Sequence, residues 1–310
     1  MIRRILRSLK IVKVLSIKKN HLVLEIGSGA NPLLRSDVCM DKYPFVTKKH
    51  RTSLLHINVD ERPFIVGDAQ SLPFLNNSFD FIIARHVLEH LVHPDKFIAE
   101  IKRVGKAGYI ASPSPFIEIL HGGFQHCAEN IPEDIISELH HGTGTPGHKW
   151  FIAGKKNTIF MAAKSKNIYS IYLLLGYFIK KRTKYSKRSF SKKNRGWMET
   201  IIFWENDSIN LFILNDIDEE HKLDEKIDVS AYIKGLGSVE KKDTLKKRMK
   251  SILRKQIFAT KKKYEIYELL ACPICNRNIK KNNGYLVCEA CGKFPVVNNI
   301  PILLPEALMK

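Results

Sequence analysis

Short apolar runs bounded by polar turns recur through the first third of the chain. Val23-Leu24-Glu25-Ile26, Val38-Cys39-Met40-Asp41, Phe64 to Ala69, and Phe79-Asp80-Phe81-Ile82-Ile83-Ala84 are each only a few residues long and almost uniformly apolar. Runs of that kind predict strands buried on both faces, as in a parallel sheet. Between Pro94 and Val104 the period changes. Phe97, Ile98, Ile101 and Val104 fall on one face and predict a helix laid on the sheet, after which Ala107 to Ser112 predicts a fifth strand. Residues 33 to 36 are too few for a full helix between the first two strands. Trp197 to Trp204 and Ile209 to Leu214 flank Glu205-Asn206-Asp207-Ser208, a hairpin signal.

The other segments are less regular. Residues 1–20 interleave Arg3, Arg4, Arg7 and Lys10 with Ile2, Ile5, Leu6, Leu9 and Val12 at helical spacing. That predicts an amphipathic basic helix, either packed on the sheet or lying on a membrane surface, rather than a secretory leader. Residues 113–196 form a long connection carrying Glu118, His121, His126, His140, His141 and His148 next to Trp150-Phe151. Within it, Ile168 to Ile179 is apolar but too short to span a bilayer, and a basic run from 180 to 195 follows. Residues 217–263 read as a linker whose second half, Lys241 to Lys263, is a basic amphipathic helix.

Composition changes the picture in one respect. Lys and Arg number 51 against 31 Asp and Glu, a formal net charge of +20 with a pI near 9.6. Such an excess suits RNA, an anionic membrane surface or an acidic glycan. A Lys-rich chain with solvated lysines accounts for it equally well. The hydrophobic content of 44% is ordinary for a globular chain.

Candidate chemistry begins where the first strand runs into Gly27-Ser28-Gly29-Ala30-Asn31-Pro32. Two glycines after a buried strand let backbone N–H groups approach a ligand, a cradle that also suits nicotinamide and flavin cofactors. Pro32 stands where a dinucleotide fingerprint would place its third glycine. Glu25, just upstream, would repel a pyrophosphate but suits a cationic, amine-bearing ligand such as S-adenosylmethionine. Asp41 ends the second strand where an acid accepts ribose hydroxyls, and Asp68 follows the third.

Of six cysteines, Cys272, Cys275, Cys288 and Cys291 form two C-x-x-C pairs separated by twelve residues that include Asn282-Asn283-Gly284, a hairpin turn. Two such knuckles predict a structural zinc held by four thiolates, and with it a reducing compartment. Cytoplasm is the expected location, with membrane association through the basic segments as an added option. The histidines of 113–196 fit no standard zinc spacing. His86 and His148 are the candidates for general base, although any single loop histidine is more simply a hydrogen-bonded one.

Three motifs in order carry a resemblance: Leu24-Glu25-Ile26-Gly27-Ser28-Gly29, Gly67-Asp68-Ala69-Gln70-Ser71-Leu72-Pro73-Phe74, and Phe79 to His90. Together they resemble the class I S-adenosylmethionine-dependent methyltransferase family. The resemblance implies an α/β fold, a doubly wound, seven-stranded, mostly parallel sheet over residues 21–216, closed by the 197–214 hairpin. It also implies that 113–196 is an enlarged acceptor region after the fifth strand. Gly27, Ser28 and Gly29 would hold the methionine end under Glu25, Asp41 the ribose, Asp68 and Ala69 the adenine, and Arg85 and His86 the floor. Residues 264–310 resemble the small zinc-ribbon activator of tRNA, rRNA and release-factor methyltransferases, which implies a ribbon docked intramolecularly on the enzyme. That family has Asp-Gly where this chain has Asn298-Asn299.

No Asn/Asp-Pro-Pro-Tyr element follows the fourth strand, so the adenine-N6 and glutamine acceptors that go with it are disfavoured. A small-molecule, lipid-linked or surface-glycan acceptor is the preferred reading, with tRNA or rRNA second. A different class stays open: a catalytically silent adaptor that binds partners through the ribbon.

Overall fold

The computed structural model describes residues 9, 12–43, 59–118, 148–164, 199–217, 227–237, 251–252, 254–307 and 309. The first eight residues, most of the histidine- and glycine-rich stretch before His148, the apolar run at 168–179 and the basic run at 180–195 lie outside them.

The apolar runs form the expected strands: β1 (Val23–Ile26), β2 (Val38–Asp41), β3 (Phe64–Gly67), β4 (Phe81–Arg85) and β5 (Ala107–Pro113). Every residue of β1, β2 and β3 is buried, as continuous apolar runs require. They pair in parallel in the order β3-β2-β1-β4-β5. The direction of winding reverses between β1 and β4, so the crevice beyond their carboxyl ends is the switch point at which open α/β sheets bind ligands. Helix α1 (Pro94–Val104) starts on its proline and buries the predicted face, Phe97, Ile98, Ile101 and Val104. On the opposite side Leu15 and Ile17, the end of the leading segment, pack with Val23, Leu33, Phe81, Ile83 and Tyr109.

The seven-stranded sheet expected from the sequence is not what forms. The connection after β5 contains a hairpin, β6 (Trp150–Lys155) and β7 (Thr158–Ala163), where the sequence suggested only a loop. β8 (Glu199–Glu205) joins the edge of β5 antiparallel, but β9 (Asn210–Ile213) leaves the main sheet and pairs parallel with β7, Ile159 opposite Leu211. The reason is the open edge that β7 offers. Asn210 N–H donates to Asn157 O at 3.0 Å, and Leu214 N–H to Met161 O at 2.9 Å, so the backbone of β9 is satisfied there.

After α2 (Val229–Gly237) and the short helix α3 (Ile266–Leu269) come β10 (Lys280–Asn282), β11 (Tyr285–Cys288), β12 (Gly292–Val297) and β13 (Ile300–Leu303). Asn283-Gly284 and Asn298-Asn299 make the two tight turns, all four residues with positive φ. Asparagine tolerates that region, so Asn298-Asn299 serves where Asp-Gly was expected. β13 then pairs parallel with β3, Ile302 opposite Val66 and Leu303 opposite Gly67, which merges both halves into one ten-stranded sheet. Two more backbone bonds seal the seam, Leu75 N–H to Leu269 O at 2.9 Å and Ala271 N–H to Pro73 O at 3.0 Å. Ile302, Leu303 and Leu304 are wholly buried, worth roughly 1.5–3 kcal/mol each.

The described part of the basic linker exposes Lys255, Lys261, Lys262 and Lys263 but is anchored to the domain at two points. Arg254 is buried, donates to Ser36 O at 2.9 Å and lies 3.5 Å from Glu61, and Phe258 is buried with it. None of the described helices is long and apolar enough to cross a membrane.

Candidate functional site

At the carboxyl end of β1 the chain bends through Gly27 (φ +65°) and Gly29 (φ +55°), backbone that favours residues without a Cβ. A Cβ built on Gly27 would overlap Val87 Cγ2, so the turn after β4 sits directly on the bend. Ser28 N–H donates to Met40 O at 3.1 Å, and Gly29 N–H to Asp41 Oδ2 at 3.0 Å. Asp41 also accepts from Tyr43 N–H at 3.1 Å. The buried hydroxyl Ser28 Oγ has no hydrogen-bond partner. Asp68 accepts from Gln70 N–H at 2.8 Å and pairs with Lys42 at 2.6 Å, next to the buried Ala69. Lys42 escaped the sequence reading. Its signal was a lysine directly after the acid that ends β2.

Glu25 is placed differently from the expectation that it faces a cationic ligand. It is fully buried, with Oε2 accepting from Leu33 N–H at 2.7 Å and Ser36 Oγ–H at 2.6 Å, and Oε1 paired with Arg85 at 2.7 Å. Arg85 also donates to Asn31 O at 3.1 Å. Glu25 and Arg85 therefore brace the return leg of the glycine loop from behind. Each carboxylate oxygen is already engaged, and Arg85 neutralises the charge.

Beyond β4, His86 takes φ +56° and its N–H donates to Ala111 O at 2.8 Å. Its ring lies 3.6 Å from Glu199 and 3.3 Å from Glu89. The neighbouring carboxylates, Glu199 first and then Glu89, raise its pKa to about 9. Both carboxylates favour the protonated form of this ring.

The turn Leu88–His90 follows, with Glu89 buried. Lys149 N–H donates to Glu89 O and Trp150 Nε1–H to Leu91 O, both at 2.7 Å. These bonds clamp the start of β6 onto the turn and bring His148 to His90, ring centroids 4.5 Å apart at 88°. His148 Nδ1 lies 2.5 Å from Glu118 Oε1, and Lys164 Nζ 2.5 Å from Glu118 Oε2. Burial pushes Glu118 up, but His148 and Lys164 outweigh it and hold the carboxylate ionised. Thus His86 and His148 flank the same turn. His121, His126, His140 and His141 lie outside the described residues.

In the C-terminal module, the ligand sulfurs of Cys272, Cys275, Cys288 and Cys291 lie within 4.8 Å of one another. The N–H of Arg277 draws the Cys275 thiol down, whereas burial raises that of Cys272 and hydrogen bonding to Cys275 raises that of Cys291. Cys39, by contrast, is a core thiol that burial pushes up to about 12.

Known proteins resemble the chain at the glycine bend and the strands around it. Residues 26–111 match the family described as methyltransferase domain. This part of the chain is similar to that family. Demethylmenaquinone methyltransferase of Paenarthrobacter aurescens is 32% identical over 103 residues, 32% of this chain and 40% of the relative. An uncharacterised methyltransferase of Bacillus subtilis is 28% identical over 102 residues, 31% of this chain and 40% of that protein. The chain thus spans about 40% of the length of these curated relatives. Among solved structures, a complex of the Haloferax volcanii Trm112 methyltransferase activator with a protein taken to be a methyltransferase matches at TM-score 0.31 and 16% identity, over 47% of this chain and 68% of that one. The matched segment contains the glycine bend, Asp41, Asp68 and the turn at Leu88–His90, while the cysteine module lies outside it.

Proposed function

We propose that the chain is an S-adenosylmethionine-dependent methyltransferase. The observation that carries this is the Gly27-Ser28-Gly29 bend at the sheet's switch point, sewn to the acid that ends β2. Gly27, Ser28 and Gly29 would hold the methionine end, with Ser28 Oγ a buried hydroxyl in need of a partner. Asp41 would take the ribose, and Asp68 and Ala69 the adenine side. When bound, the sulfonium supplies an activated methyl group, and the chain's own task is to orient an acceptor in line and relieve it of a proton.

A small-molecule, lipid-linked or surface-glycan acceptor is the preferred reading, supported by the relative named for demethylmenaquinone. The hairpin and loop of 113–196 would shape its pocket. We read residues 264–310 as a zinc ribbon: four thiolates at this mutual distance suit tetrahedral zinc, and so small a module draws much of its folding free energy from the metal.

Calorimetry with S-adenosylmethionine tests the central reading. Binding at micromolar cofactor is expected, with at least a tenfold loss in Asp41→Ala, since a charge-assisted hydrogen bond contributes roughly 1.5–3 kcal/mol. Absence of heat at those concentrations would leave a catalytically silent adaptor. Strongly salt-sensitive retention on tRNA would move the acceptor to the polynucleotide class.

A further inference from the structure

We propose that Glu89, His90 and His148 form a binding site for a first-row divalent cation. One ligand atom from each of the three lies within 4.8 Å of the others, although the histidines are far apart in sequence. Glu89 is only 1% exposed, and neither carboxylate oxygen has a hydrogen bond of good geometry. A buried carboxylate in that condition is costly unless a cation meets it. Its charged contact is His86 Nδ1, 3.3 Å from Oε1, a ring half exposed on the solvent side and shared with Glu199.

The second observation lies behind His148. Glu118, itself 1% exposed, engages His148 Nδ1 at 2.5 Å, while Lys164 at 2.5 Å balances the carboxylate's charge. A carboxylate on one imidazole nitrogen fixes the tautomer and leaves the other, Nε2, with its lone pair for a metal. The sequence signal was weak because the ligands do not come from one motif. Glu89 and His90 come from the turn after β4, and His148 only joins them because β6 is clamped there by Lys149 and Trp150.

Two imidazoles and one carboxylate suit manganese, iron, cobalt or zinc better than magnesium or calcium. Three protein ligands leave coordination positions open. Val87, two residues before Glu89, touches the glycine bend, so an acceptor held through an oxygen or nitrogen on the cation would be presented to that side of the sheet. This use rests on the methyltransferase reading, whereas the site itself does not.

The test is Mn2+ titration of the full chain with its cysteines zinc-loaded, followed by electron paramagnetic resonance and calorimetry without S-adenosylmethionine. Manganese is the probe because four thiolates disfavour it. One bound Mn2+ per chain is expected, lost in Glu89→Gln and in His148→Gln, and weakened about tenfold or more in Glu118→Gln. No binding by the native protein, or equal affinity in folded Glu89→Gln and His148→Gln variants, overturns the proposal. If either variant fails to fold, His90→Gln replaces it, with the same outcomes deciding. Mn2+ binding without S-adenosylmethionine binding would keep the site and discard the methyltransferase reading. The opposite result would do the reverse.

Discussion

At the scale of single residues, the glycine bend is held by groups that sequence reading assigned to the ligand. Glu25→Gln should cost about 2 kcal/mol or more in urea unfolding, because it strands the Arg85 guanidinium in a half-buried place. It should also weaken binding of S-adenosylmethionine indirectly, by loosening the glycine bend that Glu25 braces. Gly27→Ala should cost roughly 1–2 kcal/mol from its left-handed backbone alone, with more from displacing Val87, measured the same way. Gly27, Gly29 and Asp41 were legible because a bend after a buried strand imposes residue types locally. The true partners of Glu25, from Ser36 to Arg85, were not, since they depend on how two strands and a loop meet. The pairing of His90 with His148 was hidden for the same reason.

Among the elements, Asp80 shows how one carboxylate ties several together. It accepts from Leu22 N–H at 3.0 Å ahead of β1, and pairs with Lys106 at 3.0 Å before β5 and with Lys262 at 2.9 Å before α3. Burial pushes its pKa up, but the Leu22 N–H and the two lysines pull harder and hold it below the ordinary carboxylate value. The stability it supplies is therefore complete above about pH 4 and is lost as the pH falls below that toward its folded value. Asp80→Asn should destabilise the chain at pH 7 and flatten the acid limb of a plot of unfolding free energy against pH. β1 to β5 and α1 were readable from periodicity, because each element buries a full face. β9 was readable as a strand but not in its pairing, because its own pattern fits either neighbour, and the edge of β7 decided the matter.

For the whole molecule, the parallel pairing of β13 with β3 makes the cysteine module part of the main sheet. On the zinc reading, removing the metal with a chelator should lower the Tm of the entire chain without a separate early transition. A fall of about 5 °C or more is expected, since 1 kcal/mol shifts a chain of this size by roughly 2–4 °C. Ile302→Ala should act in the same direction, costing about 2–5 kcal/mol at a wholly buried position. The sequence announced the module through its cysteines but not the strand that it lends, because Ile300 to Leu303 could equally have capped the ribbon. That loan has an effect on biosynthesis. β3 is complete at Gly67 and its neighbour begins only at Ile300, so a nascent chain leaves the ribosome with the border of its sheet bare for nearly the whole of translation. Chaperone dependence and co-translational aggregation should rise sharply in any truncation that ends before Ile300.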